Sequence, residues 1–271
     1  MDIETVTLAY FSPTGTTRRV LTAIAQGIGV PATHLDLTLA PAASSPRLDP
    51  SREPGLSGDL AILGAPVYAG RIPATAVERF RPLAGRGAPA VLVAVYGNRA
   101  FEDALLELSD LACEIGCVPV AGAAFIGEHS YAAPDTPIAV GRPDGEDLRQ
   151  ATAFGQALLQ RLTGVASLSD LPRPLIPGNR PHRRGMRPSE AAPITDPETC
   201  TLCGRCAEVC PVGAVEVGET VVTDGLACIL CCACTRACPT GARVMVDEGI
   251  RRTARWLYEN HAAPKSPEVF W

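Results

Sequence analysis

The chain begins with a β-branched and aromatic run, Thr5–Phe11, and carries two continuous apolar runs, Leu60–Gly64 and Ala90–Tyr96, bounded by Gly and Pro. Runs of this kind suit central parallel strands buried on both faces. A further strand is expected over Val118–Ala123, with Pro119 near its start. Between the strands the period changes to 3.6. Val20, Leu21, Ile24 and Ile28 share one helical face, as do Phe101, Leu105, Leu108 and Ala112, and then Ala151, Phe154, Ala157, Leu158 and Leu162. Alternating strands and helices over residues 1–165 predict a doubly wound α/β domain with a parallel sheet of about five strands. One connection departs from the pattern. Residues 40–58 are rich in Pro, Ser and Gly, so the helix between the second and third strands is expected to be short or missing.

After residue 165 the periodicity stops. Residues 166–193 hold six prolines and read as a Pro/Arg-rich linker. Residues 194–247 form a cysteine-rich module. Residues 248–271 read as a short helix near Ile250–Tyr258 and a tail ending Phe270-Trp271, expected to pack onto the body.

Composition narrows the class. Apolar residues make up 46% of the 271 and charged residues 20%, enough for a packed core and too few charges for a disordered chain. The net charge of −5 argues against nucleic acid as a partner. No apolar run approaches the roughly 18 residues of a membrane helix, and Met1–Val6 has no signal-peptide character. A cytoplasmic protein without membrane insertion is expected. Charge is unevenly spread: net −6 over 1–170, +4 over 171–190 and −4 over 194–247. The linker arginines Arg180, Arg183, Arg184 and Arg187 are therefore either solvated or a bridge between two acidic blocks.

Nine of the eleven cysteines fall between Cys200 and Cys238. In a reducing compartment that clustering signals metal binding. The first run is Cys200-x2-Cys203-x2-Cys206-x3-Cys210-Pro211. The second, Cys228-x2-Cys231-x2-Cys234-x3-Cys238-Pro239, repeats it at an offset of 28 residues. Thr195-Asp196 recurs as Thr223-Asp224, and Pro211, Gly213 and Ala214 recur as Pro239, Gly241 and Ala242, so the module is an internal duplication. Three cysteines two residues apart wrap three corners of a cubane, and the fourth corner needs a ligand from elsewhere. Structural zinc sites are the competing reading, but they favour two cysteine pairs with a longer gap, and this module has no histidine.

The module resembles the bacterial two-[4Fe–4S] ferredoxins. In that family the fourth cysteine of each run serves the other cluster. The resemblance implies one cluster on Cys200, Cys203, Cys206 and Cys238, and another on Cys228, Cys231, Cys234 and Cys210. Cys232 is extra and reads as a small side chain beside the loop. Cys113 and Cys117 read as buried small residues.

After the first strand, Ser12-Pro13-Thr14-Gly15-Thr16-Thr17 leads into a helix. A hydroxyl-rich glycine turn at a helix N-terminus attracts phosphate. It lacks the P-loop lysine and the three-glycine dinucleotide fingerprint, which points to a monophosphate; ordinary N-capping is the alternative. Ser12-x-Thr14-Gly15-x-Thr17 is similar to the flavodoxin phosphate loop. Pro66-Val67-Tyr68-Ala69-Gly70 and Tyr96-Gly97-Asn98-Arg99 resemble the two loops around the flavodoxin ring. That resemblance implies FMN, with its phosphate on Ser12, Thr14, Gly15, Thr16 and Thr17, its ring between the two later loops, and Tyr68 or Tyr96 stacking on it. Gly127–Tyr131 forms a polar loop placed to reach or shield the ring. The whole chain resembles flavodoxin–ferredoxin fusion proteins, with Gly141–Asp144 and Ile176–Asn179 as further points of likeness.

The expected function is electron transfer between FMN and two clusters, linking ferredoxin-like one-electron redox partners to another redox enzyme or acceptor. The alternatives are a pure carrier, and an assembly or sensor subunit whose α/β domain holds no flavin. No acid–base or nucleophile constellation stands out, so no catalytic residue is named. The sequence leaves the oligomeric state open.

Overall fold

In the computed structural model, residues 1–40, 55–56 and 58–271 are described. Most of the irregular connection expected at 40–58 therefore lies outside the described residues. The apolar runs form β1 (Val6–Tyr10), β3 (Leu60–Pro66) and β4 (Pro89–Tyr96), in which every residue is buried. β2 (Ala32–Asp36) has a polar, exposed sequence and lies at the sheet edge. β5 (Val118–Ile126) is longer than expected, and its register slips beside Pro119, which has no N–H for the ladder. These five strands are parallel, in the order β2-β1-β3-β4-β5. That is the flavodoxin-like order of a doubly wound sheet, with its switch point between β1 and β3.

Two helices cover each face. α1 (Thr16–Ile28) and α4 (Gly145–Leu162) bury Val20, Leu21, Ile24, Phe154 and Leu158 on one side. α2 (Ala74–Phe80) and α3 (Ala104–Glu114) bury Phe80, Leu105 and Leu108 on the other. α1 and α4 cross so closely that a Cβ on Gly27 would fall 1.9 Å from the Thr152 carbonyl oxygen, and one on Gly155 2.0 Å from that of Ile24. This crossing fixes α1, and with it the turn at its N-terminus. α2 has no counterpart in the sequence reading, being only seven residues long.

The cysteine module contains β6 (Ile194–Thr195), α5 (Arg205–Glu208), β7 (Val215–Val217), β8 (Val221–Thr223), α6 (Ala233–Ala237) and β9 (Arg243–Val244). β6 pairs with β9 and β7 with β8, both antiparallel. Each half thus exchanges a strand with the other, the pseudo-two-fold arrangement that the 28-residue repeat predicts. The backbone repeats too: Leu202 and Leu230 both have φ of 54°.

The chain then returns to the first domain. α7 (Glu248–His261) is capped by Asp247, which accepts from the Ile250 N–H at 2.9 Å. β10 (Glu268–Phe270) adds a sixth, antiparallel strand beside β5. Phe270 meets the Phe101 ring, and Trp271 meets Phe154 beneath Arg161. The terminus packs onto the body as expected.

The linker is tethered at the start of α3 and along it, while its arginines remain exposed. Asp103 accepts from the N–H groups of Asn179 and Arg183, which holds its carboxyl below the usual range. Asp110 takes Arg180 and His182. Arg180 and Arg183 thus meet acids of the α/β domain only, while Arg184 and Arg187 are exposed. The bridge between the domains is made by other arginines. Arg79 donates to the Pro211 carbonyl, and Arg236 donates to Glu128 at 2.7 Å and to the His129 carbonyl at 2.9 Å.

Candidate functional site

The turn after β1 leads into a helix whose capping residue, Gly15, has no side chain to offer it. Gly15 is left-handed, with φ of 79°, and open space where a Cβ would project. Ser12 Oγ accepts from the Arg18 N–H at 3.1 Å, and the N–H groups of Thr16 and Thr17 have no partner among the described residues. Thr17 is fully buried with its Oγ1 unpartnered. Helix N-termini with free N–H groups and hydroxyls attract anions.

One pocket gathers most of the sequence-derived candidates. Thr14 and Thr16 line it from the turn, Pro66, Val67, Tyr68, Ala69 and Gly70 from the end of β3, and Tyr96, Gly97 and Arg99 from the end of β4. Ser12, Gly15 and Thr17 are not among its lining residues. Asn98 faces elsewhere: its Nδ2 donates to the carbonyls of His261 and Ala263, at 2.6 and 2.9 Å. The loop after β5, Gly127 to Tyr131, contributes all five of its residues to the wall. Tyr96 is buried and contacts Phe101, and burial pushes its phenol up to about 12.

Two further walls were not foreseen in the sequence. Ile250, Thr253, Trp256 and Leu257 of α7 line the pocket, as do Ile229 and Leu230 from between Cys228 and Cys231. The two repeats differ at this point. The first loop carries Thr201-Leu202 and then Gly204-Arg205, where the second carries Ile229-Leu230 and then Cys232-Ala233. The more apolar second loop is the one turned inward, and that contrast was available in the sequence. Tyr68 and Tyr131 fill the seam. Burial raises both phenols, with smaller contributions from Cys231 and Cys232 on Tyr68, and from Cys232, Cys228 and Cys231 on Tyr131.

His129 has a defined state. Its Nδ1 accepts from the Tyr131 N–H at 3.0 Å, so the neutral ring carries its proton on Nε2. A Cβ on Gly97 would fall 2.3 Å from the His129 ring, so only glycine fits beneath it. Burial first, then Arg236 and Arg99, push its pKa down to about 4. The unfolded value is about 6.5, so between about pH 4 and 6.5 the unfolded chain binds the extra proton and stability rises with pH. The thermal midpoint is expected to climb across that window. His129→Gln should flatten the climb by about 3 kcal/mol, and an unchanged slope in the variant would contradict this assignment.

In the cysteine module, Cys200, Cys203, Cys206 and Cys238 line one pocket, with Arg243 at its wall. That set takes three cysteines from the first run and the last from the second. Cys228, Cys231 and Cys234 belong to the inward loop, where burial raises the Cys228 thiol and both Cys234 and Cys210 are among its electrostatic neighbours. Cys210 Sγ accepts from the Ala214 N–H at 3.2 Å. Among the described residues, no three His, Cys, Asp or Glu side chains gather tightly enough for a single metal ion. A cubane needs a wider spread, because each thiolate takes a separate iron corner. The two sets differ in exposure at one repeat position: Cys203 is exposed and its equivalent Cys231 buried, whereas Cys206 and Cys234 are both buried.

Cys232 takes the position that Gly204 holds in the first repeat, and adopts its left-handed backbone with φ of 56°. Burial holds its thiol up, to about 12. Cys117 is buried as expected, but Cys113 is exposed on the outer face of α3.

The 4Fe-4S binding domain family matches residues 193–216. No curated protein matches the chain. Among solved structures the chain is similar to a flavodoxin from the domain Archaea, at 15% identity and TM-score 0.38, over 58% of this chain and 97% of that one. It is similar to a Streptococcus pneumonia TIGR4 flavodoxin at 16% identity and TM-score 0.39, over 58% and 99% of the two chains. An NADH:FMN oxidoreductase in its apo form gives 13% identity and TM-score 0.43, over 60% and 92%. In the described residues, no helix is long and apolar enough to cross a membrane. The strand order and the matched iron–sulfur segment together make this chain a flavodoxin-like α/β domain joined to a 4Fe–4S binding domain, a combination suited to electron transfer.

Proposed function

We propose that the chain is an electron-transfer flavoprotein, passing electrons between FMN and two [4Fe–4S] clusters and thence to a redox protein partner. The observation that carries this reading is the shared pocket, whose walls include both the phosphate turn and the second cysteine loop. The clusters would supply one-electron chemistry and the flavin one- or two-electron chemistry.

The residues divide the work. The N–H groups of Thr16 and Thr17, with the hydroxyls of Ser12, Thr14, Thr16 and Thr17, hold the phosphate over Gly15. The loops Pro66–Gly70 and Tyr96–Arg99 flank the ring. Tyr68 and Tyr131 close the seam to the cluster side and exclude water there. Cys228, Cys231, Cys234 and Cys210 hold the cluster nearer the pocket. Cys200, Cys203, Cys206 and Cys238 hold the outer one, where exposed Leu202 and Cys203 offer the partner its approach. The matched family segment covers only the first run, and the 28-residue duplication extends the assignment to the second.

Iron and flavin analysis of anaerobically purified protein tests this directly. About eight irons and one FMN per chain are expected. Eight irons with no flavin, even after incubation with FMN, would overturn the flavoprotein reading and leave a carrier.

A further inference from the structure

Arg243 lies between the two halves of the cysteine module and is 3% exposed. Its guanidinium is always charged, yet among the described residues no carboxylate pairs with it. Its Nη1 donates to Thr195 Oγ1 and its Nη2 to Thr223 Oγ1, each at 2.8 Å. Those two threonines are repeat equivalents, one from each half. Nη2 also lies 3.6 Å from Cys234 Sγ, and Nε has no partner. The same side chain lines the pocket of Cys200, Cys203, Cys206 and Cys238. One cation therefore touches a cysteine of the second run and borders the site built mainly from the first.

The duplication sharpens this. The residue 28 positions before Arg243 is Val215, buried in the small apolar core of the module. The apolar choice is thus available at this position and is used in one half only. A buried cation without a counter-ion is expensive. A cubane on four thiolates carries negative charge, and gains more on reduction. Net charge and hydrogen bonds to the sulfurs are what set cluster potentials.

We infer that Arg243 is the shared counter-charge of both clusters and raises their reduction potentials, most strongly for the cluster that includes Cys234. This rests on the two-cluster reading above. The test uses the full chain carrying Arg243→Gln, Arg243→Val or Arg243→Lys. Iron is counted first, and the two midpoints then follow from a redox titration monitored by electron paramagnetic resonance. With eight irons retained, Gln and Val should lower both midpoints, one more than the other, and Lys should lower them less. Unmoved midpoints, or equal falls with Lys and Gln, would overturn the inference. If Gln and Val lose iron while Lys keeps it, the requirement for charge is upheld; if all three lose iron, Arg243 is a matter of shape and the inference fails. Fewer than eight irons in the unaltered chain would instead count against the two-cluster reading, before any variant is titrated.

Discussion

Chains carrying Cys200→Ala with Cys238→Ala are expected to retain about four irons, whereas Cys200→Ala with Cys210→Ala should retain none. The logic is connectivity. Cys238 lines the same pocket as Cys200, Cys203 and Cys206 although it lies in the other run. Cys210 is the repeat equivalent of Cys238, so the same exchange places it with Cys228, Cys231 and Cys234. Two losses within one site empty that site alone, and two losses in different sites empty both. If each run kept its own cluster, the outcomes would be reversed, so the iron count separates the two wirings. Folding of the module should follow the count. Its apolar cluster is small: Cys206, Val215 and Cys234 are buried, with partly buried Val209, Val217 and Val221 against them, and two of the three buried members are themselves ligand candidates. So small a core supplies little folding energy, and the clusters must supply the rest. The pair that retains no iron should lose the order of residues 194–247, visible as protease cleavage there, while the α/β domain persists.

What the sequence disclosed and what it hid follow from range. The buried strands were legible because β1, β3 and β4 are apolar at nearly every position, a signal carried within each strand. The helices α1, α3 and α4 were legible from their 3.6-residue stripes. α2 was not, since seven residues hold fewer than two full repeats. β10 was missed because Glu268-Val269-Phe270 has no local signature; what makes it a strand is the open edge of β5. The three candidate flavin loops were readable because each lies at the carboxyl end of a parallel strand, which topology brings together. Asn98 shares their position but not their orientation: its αL backbone turns the amide toward the end of α7. The walls from α7 and from Ile229-Leu230 depend on how the module docks, and no period in one chain encodes docking. The linker arginines show the same limit. Their charge was plain, but the acids that Arg180 and Arg183 meet, Asp110 and Glu102, were decided by the path of the chain.

Removing residues 248–271 should weaken FMN binding roughly a hundredfold and lower the thermal midpoint, while removing 267–271 should lower the midpoint alone. The two effects separate because the segment does two things. α7 places Ile250, Trp256 and Leu257 in the pocket wall. It is held there by Asn98, which donates to the His261 and Ala263 carbonyls, and by Lys265, which donates to the Arg99 carbonyl at 2.5 Å. Losing these apolar contacts with a ligand costs about 3 kcal/mol, and each 1.4 kcal/mol is about tenfold in affinity. The last residues act elsewhere. Val269 and Phe270 belong to β10 on the β5 edge, and Trp271 packs on Phe154 at 5.2 Å with Arg161 over its ring at 5.3 Å. Aromatic and cation–π contacts of this kind contribute about 0.5–1.5 kcal/mol each beyond the area they bury. Phe101 ties the two regions together, because it touches both Phe270 and Tyr96. The shorter truncation reaches Tyr96 only through that one intervening ring and should disturb it slightly. Fluorescence titration with FMN against both truncations reads the difference, and equal affinity in the longer truncation would remove α7 from the flavin site.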